Sequence, residues 1–258
     1  MASMRTWAMT TVAALLLLGP RAYAAPEEIQ VYEDDMDKPG QWGLDTHVNY
    51  VFDSLGPLDY PGEQPSNERL RLTPEWSYGL MQGIELGAYL PLADVQDHRF
   101  TVDGYKFRIK WIAPKPTNQS WYWGANFEIG DVDKQLDINP WNAELKGIVG
   151  WRGGPWDVAF NTNLDWAVAG PQRGPATVQL ATKVSYKVAS NLALGVESYD
   201  GAGDINHLGQ FSGAGHSIYA TADTSIGLWD LNVGIGRGYS GEPDQWILKF
   251  IVGVPIDD

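Results

Sequence analysis

Residues 141–166 read WNAELKGIVGWRGGPWDVAFNTNLDW. Trp141, Leu145, Val149 and Trp151 fall on one parity, against Asn142, Glu144 and Lys146 on the other. After the turn Arg152-Gly153-Gly154-Pro155 the alternation resumes, with Trp156, Val158, Phe160, Leu164 and Trp166 against Asp157, Asn161, Asn163 and Asp165. Period two with one apolar face is the mark of a β-strand, so the stretch predicts a hairpin. Its tryptophans set the length. Trp141 and Trp151 are ten residues apart, as are Trp156 and Trp166, and Trp229 and Tyr239 repeat the interval. At roughly 3.3 Å per residue, ten residues span about 33 Å, or about 23 Å along an axis tilted by about 45°. That matches the apolar band of about 25 Å, edged by aromatic girdles, on a transmembrane barrel. Trp suits such an edge because its ring is apolar while its N–H seeks a polar partner.

The same alternation extends in both directions. Trp42, Leu44, Thr46, Val48, Tyr50 and Phe52 oppose Asp45, His47 and Asn49; Tyr105, Phe107, Ile109 and Trp111 oppose Lys106, Arg108 and Lys110. Runs at 69–78, 84–92, 121–129, 178–188, 192–200, 214–228, 229–239 and 244–254 complete a count of twelve. Links after the even runs are short and those after the odd runs mostly longer, the layout of short periplasmic turns and longer extracellular loops. An even count lets an antiparallel sheet close on itself, which removes the edges that lipid cannot satisfy. The fold expected is all-β: an antiparallel up-and-down transmembrane β-barrel of about 12 strands. The alternatives are a closed-lumen envelope barrel, structural or ligand-binding, and a soluble periplasmic β-domain.

Composition narrows function. Lys plus Arg number 18 and Asp plus Glu 32, a net charge of −14, which argues against nucleic-acid binding. Cysteine is absent, so disulfides, thiolate metal sites and thiol nucleophiles are excluded. Four histidines offer no HExxH, and no glycine-rich phosphate loop opens a helix. His216 and Ser217 are adjacent and hence on opposite faces; His98 beside Asp94 and Asp97, and His207 near Asp204, are loop combinations. No enzyme, cofactor or metal site is expected. The 131–137 run DVDKQLD lacks the glycine and terminal Glu of an EF-hand loop.

Residues 1–24 read as a cleaved secretory signal: Arg5, an apolar run over 7–18, Gly19-Pro20, then Ala22-Tyr23-Ala24. Cleavage removes Arg5 and Arg21 and no acid, so −14 becomes −16. Residues 25–40 form an acidic periplasmic lead-in, read either as solvated surface or as a partial plug, and 41–258 form the barrel. The chain ends VPIDD, with Phe250 its last aromatic. Export and barrel together predict the outer membrane of a Gram-negative bacterium. The partners expected are outer-membrane lipid and lipopolysaccharide, the barrel-assembly machinery and a small-molecule solute.

By parity, Arg69, Arg71, Glu75, Glu85, Lys106, Arg108, Lys110, Glu128, Glu144 and Lys146 are the expected pore-lining residues. Trp141, Trp151, Trp156, Trp166, Trp229 and Tyr239 are the expected girdle at the membrane interface. The lumen charges nearly balance, so they read either as an ion-pair network filling a narrow barrel or as a basic wall that steers anions. Residues 71–92, RLTPEWSYGLMQGIELGAYLPL, carry an acid two before Ser-Tyr-Gly-Leu and then an IELG–LP strand. This hairpin resembles that of outer-membrane proteins linked to the MetA pathway of phenol degradation. The resemblance implies a transporter-like channel or facilitated-diffusion pore for small molecules, aromatic or anionic compounds among them, with no catalytic residues.

Overall fold

The computed structural model describes residues 28–55, 57–95, 99–209, 211–212 and 214–256. The signal sequence, residues 25–27 and His98 lie outside the described residues. Fourteen strand segments form one closed antiparallel sheet. They are β1 (Trp42–Ser54), β2 (Leu70–Met81), β3 (Ile84–Tyr89), β4 (Leu92–Val95), β5 (Arg99–Val102), β6 (Gly104–Ile112) and β7 (Trp121–Val132). They continue with β8 (Trp141–Gly153), β9 (Trp156–Ala169), β10 (Thr177–Ala189), β11 (Leu192–Asp204), β12 (Gly215–Ile226), β13 (Trp229–Ser240) and β14 (Asp244–Pro255).

Twelve staves result, because β3 and β4 are two halves of one stave and β5 and β6 two halves of the next; β2 pairs with both β3 and β4. The break falls at Leu90-Pro91, where proline has no N–H to give the ladder. The Leu90 amide instead donates to the Pro74 carbonyl at 3.0 Å, and the Asp103 amide to the Pro91 carbonyl at 2.8 Å. The expected continuous run over 84–92 is therefore interrupted. Closure is made by β1 against β14, from Gly43 opposite Pro255 to Ser54 opposite Asp244. With every stave paired on both sides, backbone groups are satisfied within the wall, as a hydrocarbon surround demands.

Two-residue turns, such as Gly154-Pro155 and Gly227-Leu228, share one end with the start of β1 and the end of β14. The other, loop end carries the longer connections at 55–69 and 205–214. Outward positions are apolar: Phe107, Ile109, Trp123, Leu145 and Ile235 are all exposed. Two aromatic belts ring this surface. At the turn end Trp42 lies 4.8 Å from Tyr78, Trp121 6.4 Å from Trp151 and Trp156 4.8 Å from Tyr186, ring centre to ring centre. Trp229 is exposed at the same end. At the loop end Trp141 lies 6.2 Å from Tyr105, Trp166 6.3 Å from Phe127, and Tyr239 stacks on His216 at 5.4 Å.

Candidate functional site

The inward parity is polar for most of its length, yet it also carries Val51, Tyr122, Ile148, Ala159, Ala181, Tyr199, Tyr219 and Ile247, all buried. A water-filled bore leaves such side chains wet. Here they are covered by the lead-in, which enters at the turn end and runs up the lumen. Ile29 and Val31 join the cluster of Val51, Ala159, Ala181, Tyr199, Tyr219 and Ile247. Tyr32 joins Ile112, Tyr122 and Ile148, with Met36 packed against them.

Backbone bonds fix the segment to the wall. The Asn161 side chain accepts from the Tyr32 amide at 2.6 Å and donates to the Tyr32 carbonyl at 2.9 Å. Lys249 Nζ donates to the Ile29 carbonyl at 3.1 Å, and Lys110 Nζ to the Asp35 carbonyl at 2.7 Å. The Asp37 amide donates to Glu85 at 2.6 Å. Near its entry the segment crosses β2 so closely that a Cβ at Gly79 would collide with the Lys38 carbonyl; the Gly40 amide donates to the Gly79 carbonyl at 2.7 Å.

The lead-in acids meet the lumen cations. Arg152 contacts Asp34, Asp35 at 3.1 Å and Glu33 at 3.5 Å, and also holds Asp157 at 2.5 Å. Lys115 pairs with Asp34 at 2.5 Å, and Lys183 with Glu33 at 3.4 Å and Asp223 at 3.1 Å. Burial is the largest influence on Glu33 and lifts its carboxyl to about 7. Burial likewise raises Asp37. The Tyr32 ring lies under the Lys146 ammonium, 3.8 Å from ring centre to nitrogen, and its hydroxyl bonds to Tyr89 at 2.7 Å and to Glu128 at 3.1 Å. A desolvated cation over an aromatic face contributes about 2 kcal/mol.

Of the residues expected to line a pore, Arg71, Glu75, Glu85, Arg108, Lys110, Glu128 and Lys146 are buried inside the wall. Arg108 joins Glu75 at 2.5 Å and Glu85 at 2.8 Å, and Lys146 joins Glu144 at 3.1 Å. Lys106 sits opposite Tyr89 and Gly130 in the ladder. Arg69 precedes β2 and is committed to the loop at that end, donating to the Gln64 carbonyl at 3.1 Å and to Ser66 Oγ at 2.9 Å. Parity sets Lys183, Lys249 and Asn161 on the inward face, but it does not show that they, with Arg152, hold the lead-in. The signal that points to them is the set of inward tyrosines and aliphatics, which need a cover. Between lead-in and wall at the turn end lies a cavity of about 980 Å³, bordered by Arg152, Lys183, Asp223 and Asp230.

Among the described residues, His216 and His207 each contact a neighbouring aspartate and no Ser or Thr hydroxyl. His216 commits both nitrogens, Nδ1 to Asp200 at 2.8 Å and Nε2 to the Phe211 carbonyl at 2.8 Å. His207 contacts Asp204 at 3.2 Å on the exposed surface.

No family model matches the chain, and no curated protein matches it in sequence. Solved structures do match its shape. The COG4313 outer membrane channel from Pseudomonas putida F1 aligns with a TM-score of 0.59 at 14% identity, over 89% of this chain and 100% of that one. The KdgM porin aligns with a TM-score of 0.56 at 10% identity, over 83% and 99%. That porin is also solved in complex with disordered oligogalacturonate, where it aligns with a TM-score of 0.54 at 9% identity over 83% and 99%. The chain therefore has the fold of the porin-like outer-membrane barrels, closed by twelve antiparallel staves.

Proposed function

We propose that this protein is an outer-membrane channel of a Gram-negative bacterium that admits small molecules, aromatic or anionic compounds among them, and that its lead-in closes the lumen at rest. The observation that carries the reading is the placement of residues 28–40, an extended acidic segment held by charges and carbonyl bonds across a lumen lined with cations. Displacing it frees Arg152, Lys183, Lys110 and Lys249 from their present partners on the segment. A solute with negative charge, or an aromatic ring of the kind Tyr32 supplies, then meets the same groups. The oligogalacturonate held by the KdgM porin is an anionic solute in a barrel of this shape. The hairpin at 71–92 adds the aromatic side of the proposal through its resemblance to phenol-pathway proteins. The turn end then faces the periplasm, and no catalytic role is assigned.

A second reading is a barrel that never opens, serving the envelope or binding a ligand. It is favoured by the number of bonds the lead-in makes along its whole described length. Planar-bilayer conductance separates the two. The protein and a variant lacking residues 25–40 are refolded and compared. Discrete steps, more frequent in the truncated form and selective for anions, support the channel. Silence from both, with heat-modifiable gel mobility confirming the fold, leaves the closed barrel.

A further inference from the structure

Halfway up the lumen, three side chains from three elements converge: Glu28 of the lead-in, His47 of β1 and Glu75 of β2. One ligand atom from each lies within 4.8 Å of the others. His47 is fully buried and Glu75 nearly so. The pairing β1–β2 that places Asp45 opposite Glu75 and His47 opposite Thr73 puts both side chains on the inward face.

From these contacts we infer a divalent transition-metal site, of the Zn²⁺ type, formed between the lead-in and the barrel wall. The separation of His47 Nε2 and Glu75 Oε2 is 3.1 Å. Two ligands at about 2.0–2.1 Å from a tetrahedral ion stand about 3.3 Å apart, so the pair is spaced for a shared metal. Glu75 is also oriented for the task. Its Oε1 is held by Arg108 Nε at 2.5 Å, which leaves Oε2 to face His47, the outer-shell arrangement that fixes a ligating carboxylate. Glu28 supplies the third ligand, and its Oε1 is buried with no hydrogen-bond partner. Arg108 already offsets the charge of Glu75, so a divalent ion meets the remaining carboxylate and the imidazole, with a fourth position for water. Imidazole with carboxylate suits zinc and its neighbours better than calcium, which prefers six or more oxygens.

The bound ion ties the first described residue of the lead-in to two adjacent staves, so the metal and the plug are one device. The site stands without the channel proposal, since binding is measured with no transport.

The test is competition for Zn²⁺ between the purified full chain and a chromophoric chelator, repeated with Glu28→Gln and His47→Gln. One ion per chain is expected, with the affinity lowered about 10-fold or more in each variant. Co²⁺ in place of Zn²⁺ gives a visible absorption band, lost in Glu28→Gln. Glu28 lies outside the barrel wall, so its variant keeps the test informative if His47→Gln does not fold. Absence of binding overturns the site and leaves His47 hydrogen-bonded through Nε2 to Glu75. Binding that Glu28→Gln leaves unchanged also overturns it, and places the ion among the loop acids.

Discussion

Asn161, in the middle of β9, holds Tyr32 by both backbone groups, its amide oxygen 2.6 Å from the Tyr32 nitrogen and its amide nitrogen 2.9 Å from the Tyr32 oxygen. A side-chain amide here does what a neighbouring strand does for an edge, and it does so where Asn161 is fully buried. Removing it orphans a buried N–H and a buried C=O, which costs about 1–3 kcal/mol. Because the chain has no cysteine, Val31→Cys provides a single reporter of lead-in release. Asn161→Ala in that background is expected to raise maleimide labelling about 5- to 150-fold, that cost converted to a ratio of populations. Unchanged labelling would mean the segment is held elsewhere.

Gly79 tests the entry point. The Lys38 carbonyl passes over it with no room for a methyl group. Gly79→Ala is expected to displace the lead-in while the barrel persists, seen as more frequent conductance steps with heat-modifiable mobility intact. Gly147→Ala is the control, since a Cβ there meets nothing nearer than the Thr162 oxygen at 3.9 Å. Equal conductance in the two variants would rule out Gly79 as the gatepost.

Much of this was legible in the chain. Alternation with outward Trp and inward charge fixes the staves, since a barrel in lipid has one periodicity to obey. The Trp pairs 141/151 and 156/166 stand towards opposite ends of β8 and β9. The placement of the lead-in was less readable. Lys249 is 220 residues from Ile29, and Asn161 is 129 from Tyr32. Such contacts exist only once β14 closes on β1, and no local pattern encodes them. What the sequence did contain was a mismatch: Tyr122, Ile148, Tyr199 and Ile247 stand on the polar parity, and Ile29, Val31 and Tyr32 interrupt an acidic run. Each is costly in water, and together they predict each other. His47 and Glu75 were visible only as lumen polarity, because their third partner lies on the segment whose place was open.

Acidity should favour the closed form. Docked, Glu33 titrates at about 7 against an ordinary 4.5, with burial as the main cause and Asp157 and Asp35 adding to it; Lys183 and Arg152 oppose. A carboxyl raised on docking binds its proton more tightly in the docked state. Docking is therefore strongest below about pH 4.5 and weakens as pH rises through about 7, after which it is constant. Asp37 shifts in the same direction. Open-channel frequency is expected to rise between pH 5 and pH 8, with Glu33→Gln flattening the curve. Opening on acidification would refute this assignment.

The outward face makes the last prediction. Leu145 sits near the middle of β8, opposite Phe127 on β7 and Leu164 on β9, and is exposed. Trp229 opens β13 at the turn end, equally exposed. In water the two sites are equivalent, and an arginine at either is nearly neutral. In a bilayer they differ by depth, because an arginine at the midplane costs about 2–4 kcal/mol and one near the interface about 0–1. Leu145→Arg is therefore expected to lower folding stability in lipid vesicles by about 2–4 kcal/mol, and Trp229→Arg by about 1 kcal/mol or less for the charge itself. Trp229→Ala measures the lost ring separately. Urea unfolding from vesicles, followed by tryptophan emission, reads both. Equal costs at the two sites would mean that the band between the aromatic belts does not lie in hydrocarbon, and the soluble β-domain would then fit better than the membrane barrel.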